Sequence, residues 1–397
     1  MKNRMSRRAF LKQTAAGTSA VSLGMPVRAL AGPQRDADSF LATVGKDPRM
    51  IVHNWRPGVA ETPLNLLREH KVTPKNILFV RNNQVLSGAL SMQPLPLKGW
   101  TVEIMGLVTP SRVIQGEDLP GLEQTEVEMV LQCSGNGRSY YAQSVRTRGT
   151  QWGKGGLGNV LWKGVPLKSL VQNPGLDIDP TARFITAEGR DFPPTAEGAD
   201  FEHSLPLEDV LDKAILALEM NGEPIPAIHG GPVRLIVPGY YGTMNVKWLS
   251  RLRFEDRESN NNNHIPRYRT LKKPIEPGMS PPLTFENSSP TWRQKINSLI
   301  WDPLEGASVA GQRLEVQGVA WNDGMVRIEM VEVSLNSGTT WQRTQLETPS
   351  SPFSWYPFTA SVQTPPGQHE IWVRAVDALG RTQPLDGSIH WNPSGYE

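Results

Sequence analysis

The chain has 397 residues, room for two or three domains and a sizeable core. Hydrophobic residues make up 38%, and no apolar run is long enough to span a bilayer. The 41 basic residues slightly outnumber the 39 acidic ones, but six basic and no acidic residues fall within the first 31; without them the balance is 35 to 39, a net charge of −4. That balance argues against a nucleic-acid partner and suits a basic protein partner.

Residues 1–31 read as a targeting segment. Ser6-Arg7-Arg8-Ala9-Phe10-Leu11-Lys12 is a twin-arginine pattern, followed by a weakly apolar stretch and a small-residue cleavage site at Ala29-Leu30-Ala31. The expectation is a periplasmic protein, exported already folded and with any complex cofactor loaded. With one cysteine, Cys133, there is no internal disulfide framework.

The 36 Gly and 34 Pro predict many turns and a strand-rich chain. Residues 32–75 read as an entry arm with one short helix opening at Thr62-Pro63. Asn76–Asn83 reads as an apolar strand ending in Arg81, a solvated charge or a side chain aimed into a site. Trp100–Val108 and Thr125–Gln132 are further strands.

The second of these delivers Cys133 to a turn of Ser134, Gly135, Asn136 and Gly137, with Arg138 beyond it. Such a cysteine is either a small buried hydrophobe or a functional thiolate, and a polar glycine-rich turn is a poor place for packing. The run Gly149–Asn159 lacks the Gly-x-x-x-x-Gly-Lys-Ser/Thr spacing, so it is not a nucleotide loop. Trp152, in this flexible glycine setting, reads as a pocket wall or a surface anchor.

Ser204–Met220 has the apolar spacing of an amphipathic helix. Pro232–Pro238 is a buried strand carrying Arg234, flanked by His229 and Lys247; the three cations are unrelated surface charges or a site for a phosphorylated cofactor. No triad or metal-ligand spacing is found. Prolines between 273 and 290 mark a linker. Beyond it, short alternating runs (Leu314–Trp321, Val331–Leu335, Ile371–Val376) with turns between them predict an immunoglobulin-like β-sandwich.

From Ile77 to Pro393 these pieces resemble the sulfite oxidase family of molybdopterin enzymes, nearest in kind to exported bacterial sulfite dehydrogenases. The resemblance is carried by Leu131-Gln-Cys-Ser-Gly-Asn-Gly-Arg138, Gln151-Trp152, Gly158-Asn159, Phe79-Val-Arg-Asn82, His229-Gly-Gly-Pro-Val-Arg234, Val246-Lys-Trp-Leu249 and Tyr268, in the family's order. It implies an α+β fold: a mixed, mainly β molybdopterin-binding domain over 32–272, the linker 273–290, and a dimerising immunoglobulin-like sandwich over 291–397.

It also implies roles. Cys133 would be the thiolate ligand to molybdenum; Arg81, Arg138 and Tyr268 would line the oxyanion pocket, with Trp152 as a wall. Phe79, Arg81, Asn82, Asp191, His229, Arg234, Asn245 and Lys247 would hold the pterin and its phosphate. The implied reaction is oxidation of sulfite to sulfate, with electrons passed to a separate acceptor such as a c-type cytochrome. Two other readings stand beside it: a molybdenum-dependent reductase of an S-oxide, and a non-enzymatic periplasmic binding or scaffold protein. The sequence departs from its relatives in three ways. No haem-attachment Cys-x-x-Cys-His and no haem domain are expected, Asn83 replaces a histidine found in many relatives, and a substrate arginine that some carry in the terminal segment has no counterpart near Trp391-Asn-Pro393.

Overall fold

The computed structural model describes residues 32–141, 145–172, 175–191, 200–384 and 391–396; the twin-arginine segment lies outside them. Two sheets form the body of the first domain. One has five strands in the order Glu202–Pro206, Phe184–Gly189, Leu249–Glu255, Thr101–Gly106, Arg112–Gln115. Its only parallel pair joins Leu249–Glu255 to Thr101–Gly106. The second runs Glu223–Pro224, Ile215–Met220, Leu157–Pro166, Thr125–Gln132, with Arg234–Ile236 also paired to Ile215–Met220.

The second sheet is a middle layer, apolar on both faces. Val165, Leu216, Leu218 and Leu235 face the first sheet's Val102, Ile104, Ile185 and Phe254. Met129, Leu131, Val160, Trp162, Ile215, Ala217 and Ile236 face the opposite way, into a core shared with Phe79, Cys133 and Trp152. Burial on both faces explains why Ser204–Met220 is not the helix that its spacing predicts. The segment is the strand Glu202–Pro206, one helical turn Leu207–Val210, and the strand Ile215–Met220. A strand buried on both sides loses its two-residue alternation, and the run then mimics helical spacing.

The entry arm holds more than one helix. Gly32–Val44 and Leu64–Leu67 are both helical, and the strands Ile51–Asn54 and Val59–Glu61 pair into a small sheet with Val80–Arg81. The strand expected over Asn76–Asn83 shortens to Val80–Arg81, because a turn at Pro74–Leu78 precedes it, closed by Leu78 N donating to Pro74 O (2.9 Å).

Beyond residue 290, four strands (Asn297–Asp302, Arg313–Trp321, Tyr356–Gln363, Gln345–Leu346) face three (Gln342–Arg343, Ile328–Ser334, Trp372–Asp377) across a core of Val316, Val331, Val333, Phe358 and Ala375. This is the expected sandwich. Between the domains, Arg269–Leu271 pairs with Ser288–Pro290, tying together the two ends of the proline-rich stretch. The sandwich also packs directly on the first domain, where Trp301, Trp321 and Trp355 meet Leu67, Val130 and Leu157.

Candidate active site

Strand Thr125–Gln132 ends at Cys133, where the chain turns back: Asn136 N donates to Cys133 O (2.9 Å) and Arg138 N to Gly135 O (3.2 Å). The glycine run backs this turn rather than forming a flexible loop. Cys133 N donates to Gly156 O (2.8 Å), Gly137 N to Gly153 O (2.6 Å), and Gly156 N to Asn136 Oδ1 (2.8 Å). From the other side Glu61 accepts Gly153 N (2.9 Å) and Gly155 N (2.8 Å). A Cβ on Gly155 would sit 1.8 Å from Thr62 O, so the close backbone approach admits glycine alone.

Cys133, 8% exposed, opens into a cavity lined also by Phe79, Arg81, Asn82, Asp191, His229, Arg234, Asn245, Lys247 and Tyr268. All the predicted site residues except Arg138 and Trp152 therefore line one cavity. Two of its walls, Trp248 (φ +50°) and Tyr268 (φ +53°), hold the left-handed backbone conformation that bulky residues avoid. Strain of this kind persists where the surroundings over-determine a site.

At the inner end the cations are held by neutral groups. Arg234 Nη1 donates to His229 O (2.9 Å) and Nε to Asn245 O (3.2 Å), and its guanidinium lies 5.1 Å over the Trp162 ring. Lys247 Nζ donates to Asn82 Oδ1 (2.7 Å) and Ile228 O (2.8 Å). Behind them Lys46 Nζ lies 2.6 Å from His229 Nε2 and donates to Leu78 O (2.9 Å). Asn245 spends its amide on the loop itself, accepting Val237 N (2.7 Å) and donating to Tyr241 O (2.9 Å).

Burial holds Lys46, His229 and Lys247 well below their ordinary pKa values, with mutual repulsion adding to the effect at His229 and Lys247. It lowers Arg234 to about 9. Asp191, the one carboxylate in the lining, is pushed up to about 7 by burial, only partly offset by backbone hydrogen bonds and Lys247. Among the described residues none of these cations makes a salt bridge. A buried cluster of Lys46, Arg234 and Lys247 around the His229 imidazole, with no salt bridge among the described residues, calls for an anion from outside the chain.

At the outer end Arg81 donates to Asn82 O and Asn83 Oδ1, and Asn83 Nδ2 donates to the Tyr268 hydroxyl. Arg138 does not line the cavity. Its Nε donates to Ser394 O (2.6 Å) and Nη1 to Thr150 O (2.7 Å), because the turn after Cys133 swings it toward residues 391–396. Trp152 is fully buried behind Phe79 (ring centroids 6.0 Å, edge to face) and beside His53, so it supports the wall and does not form it. Trp248 stands in the Val246–Leu249 motif but was given no role, and sequence reasoning did not find Lys46, Phe201 or Thr243 at or behind this cavity. Each of these three is an isolated residue outside any motif, brought in by long-range packing.

A phosphorylated metal cofactor fits these residues. The inner cations supply a phosphate cradle, and Ser134 Oγ and Trp152 Nε1, buried close to Cys133 in the fold, have no partner within the protein. Cys133 offers a soft ligand in the same cavity.

Comparison with known proteins agrees. Residues 91–263 match the oxidoreductase molybdopterin binding domain, and residues 288–396 the Mo-co oxidoreductase dimerisation domain. Mitochondrial sulfite oxidase of Homo sapiens is 30% identical over 374 residues, 90% of this chain and 66% of that protein. The NAD(P)H nitrate reductase of Hordeum vulgare is 30% identical over 389 residues, 91% of this chain and 42% of that protein. The chain thus spans at most about two thirds of these two relatives. The crystal structure of the sulfane dehydrogenase SoxCD from Paracoccus pantotrophus superposes with a TM-score of 0.69 at 26% identity, covering 92% of this chain and 87% of that one. The cofactor of this domain is molybdenum carried by molybdopterin. By its two domains, its cavity and these relatives, the chain belongs to the sulfite oxidase family of molybdenum oxidoreductases.

Proposed function

We propose that this chain oxidises sulfite to sulfate with Cys133 as the protein's ligand to molybdenum. The observation that carries the reading is one cavity holding Cys133, Arg81 and Tyr268 beside His229, Arg234 and Lys247, with Asp191 as its sole carboxylate. Sulfite and water give sulfate, two protons and two electrons. The bound cofactor would supply the oxygen-atom transfer and hold the electron pair.

The chain's own residues bind and orient. Arg234, His229 and Lys247 would hold the pterin phosphate with Phe79, Asn82 and Asn245 around it. Arg81 supplies a fixed positive charge toward a dianion without competing as a nucleophile. The Tyr268 hydroxyl accepts from Asn83, which leaves its own proton free to donate to an oxyanion. Trp152 and Phe79 keep the wall behind Cys133 dry. Arg138 acts from outside the lining, through the segment it holds.

The twin-arginine pattern supports a periplasmic setting, where a c-type cytochrome would take the electrons one at a time. The match of residues 288–396 to a dimerisation domain supports a homodimer through the sandwich. The test is sulfite-dependent reduction of ferricyanide by molybdenum-loaded protein; loaded protein that stays silent with sulfite sinks the reading. The likeness to SoxCD favours one second substrate, sulfane sulfur, which thiosulfate and a glutathione persulfide assayed in parallel would reveal.

A further inference from the structure

The segment Trp391–Tyr396 leaves the sandwich and lies on the first domain at the outer end of the cavity. Arg148 N donates to Pro393 O (2.8 Å), and Arg138 Nε to Ser394 O (2.6 Å). Asn392 clamps the turn from both sides, accepting Tyr396 N (2.9 Å) and donating to Tyr396 O (2.6 Å). Gly395 takes φ +54°, and a Cβ there would stand 2.8 Å from Arg138 Cγ and 3.1 Å from Thr147 Oγ1. The backbone is thus fixed at the residue before Tyr396.

Tyr396 is thereby laid flat on Tyr268, with ring centroids 5.4 Å apart and planes at 19°. The Arg138 guanidinium lies over the Tyr396 ring at 5.4 Å. Tyr268 is a cavity wall, and Tyr396, itself outside the lining, backs that wall directly. The charges acting on the Tyr396 phenol are Tyr268, Arg138, Cys133 and Arg81, and burial keeps it protonated at neutral pH. A protonated phenol near an anion site is a hydrogen-bond donor, and its ring, stacked on Tyr268, limits how far that wall can yield to a bulkier anion.

We propose that Tyr396 is a positioning and specificity residue for the oxyanion, carried to the back of the Tyr268 wall by the sandwich and held there by Arg138. The proposal rests on the sulfite reading above. Arg138, absent from the cavity lining, then acts through the segment it holds.

The test uses molybdenum-loaded Tyr396→Phe and Tyr396→Ala. Sulfite kinetics with ferricyanide are joined by calorimetric titration of sulfate, which needs no turnover. A third probe is methanesulfinate, which would take one oxygen from water and release two protons and two electrons to ferricyanide, giving methanesulfonate. For Tyr396→Ala we expect KM for sulfite and Kd for sulfate each to rise by about tenfold or more, with KM shifting more than kcat, and methanesulfinate to become a substrate. Tyr396→Phe keeps the stack and loses only the hydroxyl, so KM and Kd rise a few fold and methanesulfinate stays excluded. Sulfate binding and KM equal to wild type in both variants overturn the proposal. Should wild type fail to oxidise sulfite while sulfate binding still weakens in the variants, the sulfite reading falls and the role of Tyr396 stands.

Discussion

The two ends of the cavity differ in how crowded and how deeply buried their positive charge is. At the inner end Lys46, Arg234 and Lys247 are buried together around the His229 imidazole, held by neutral groups. At the outer end Arg81 and Arg138 are tethered to oxygens of nearby loops and of residues 391–396, and two tyrosines stack between them. The inner end is therefore built for one permanent anion whose charge repays a standing burial penalty. The outer end suits an anion that enters and leaves, because Arg81, the arginine that lines it, is only part-buried and stands apart from the inner cluster.

The comparison can be broken at several points. The largest effect is expected between the two ends, at Cys133. Cys133→Ser should abolish turnover and remove one sulfur from the molybdenum shell seen by X-ray absorption; an unchanged shell would end the ligand assignment. Next comes Arg234→Met, where the two states should respond with opposite sign. Cofactor retention after gel filtration should fall by about tenfold or more, while cofactor-free protein gains stability from losing an unpaired buried charge. A variant that keeps its cofactor would show that the inner cluster is not the phosphate cradle. At the outer end Arg81→Lys should leave molybdenum content intact and raise KM for sulfite by about tenfold, since lysine cannot reproduce the planar fork.

A pH effect separates Asp191 from the cations around it. Its pKa is raised to about 7 from 3.8, so between those values the folded state holds a proton that the unfolded chain has lost. This contribution to the stability of cofactor-free protein, on the order of a few kcal/mol, is lost as pH rises from 4 to 7, against the opposite slope of His229, so wild type should lose stability relative to Asp191→Asn across that window. Urea titrations at both ends of the window would read it; parallel slopes in both proteins would contradict the burial argument. The smallest effect is Trp321→Phe, which deletes the indole donor to Gln132 Oε1 (2.8 Å) and should cost about 1 kcal/mol in urea denaturation.

How much of this was legible in the sequence depended on the range of the interactions. The sandwich strands alternate because one face of each is wet, so their periodicity was readable. Ile215–Met220 is covered on both faces, and its pattern misled. The cavity residues were legible where they sit in short motifs, as at Phe79–Asn82, Cys133 and His229–Arg234. Arg138 shows the limit of such reading: five residues from Cys133, it points along the turn toward Ser394 and not into the cavity. Lys46 and Tyr396 reach the site from 183 and 128 positions away in the sequence, with no local signal to announce them.

Two hydrogen bonds tie the strand that carries Cys133 to the sandwich. On the outer edge of the strand that ends at Cys133, Val130 N donates to Phe353 O (2.9 Å) and Val130 O accepts Gln294 Nε2 (2.8 Å). A polypeptide severed at the proline-rich stretch would bare that edge, along with Val130 and Leu157, beside the thiol. Exposed strand edges recruit other chains. Such a fragment should therefore clump and shed its molybdenum together, which makes the sandwich a co-owner of the catalytic strand as well as a surface for pairing subunits.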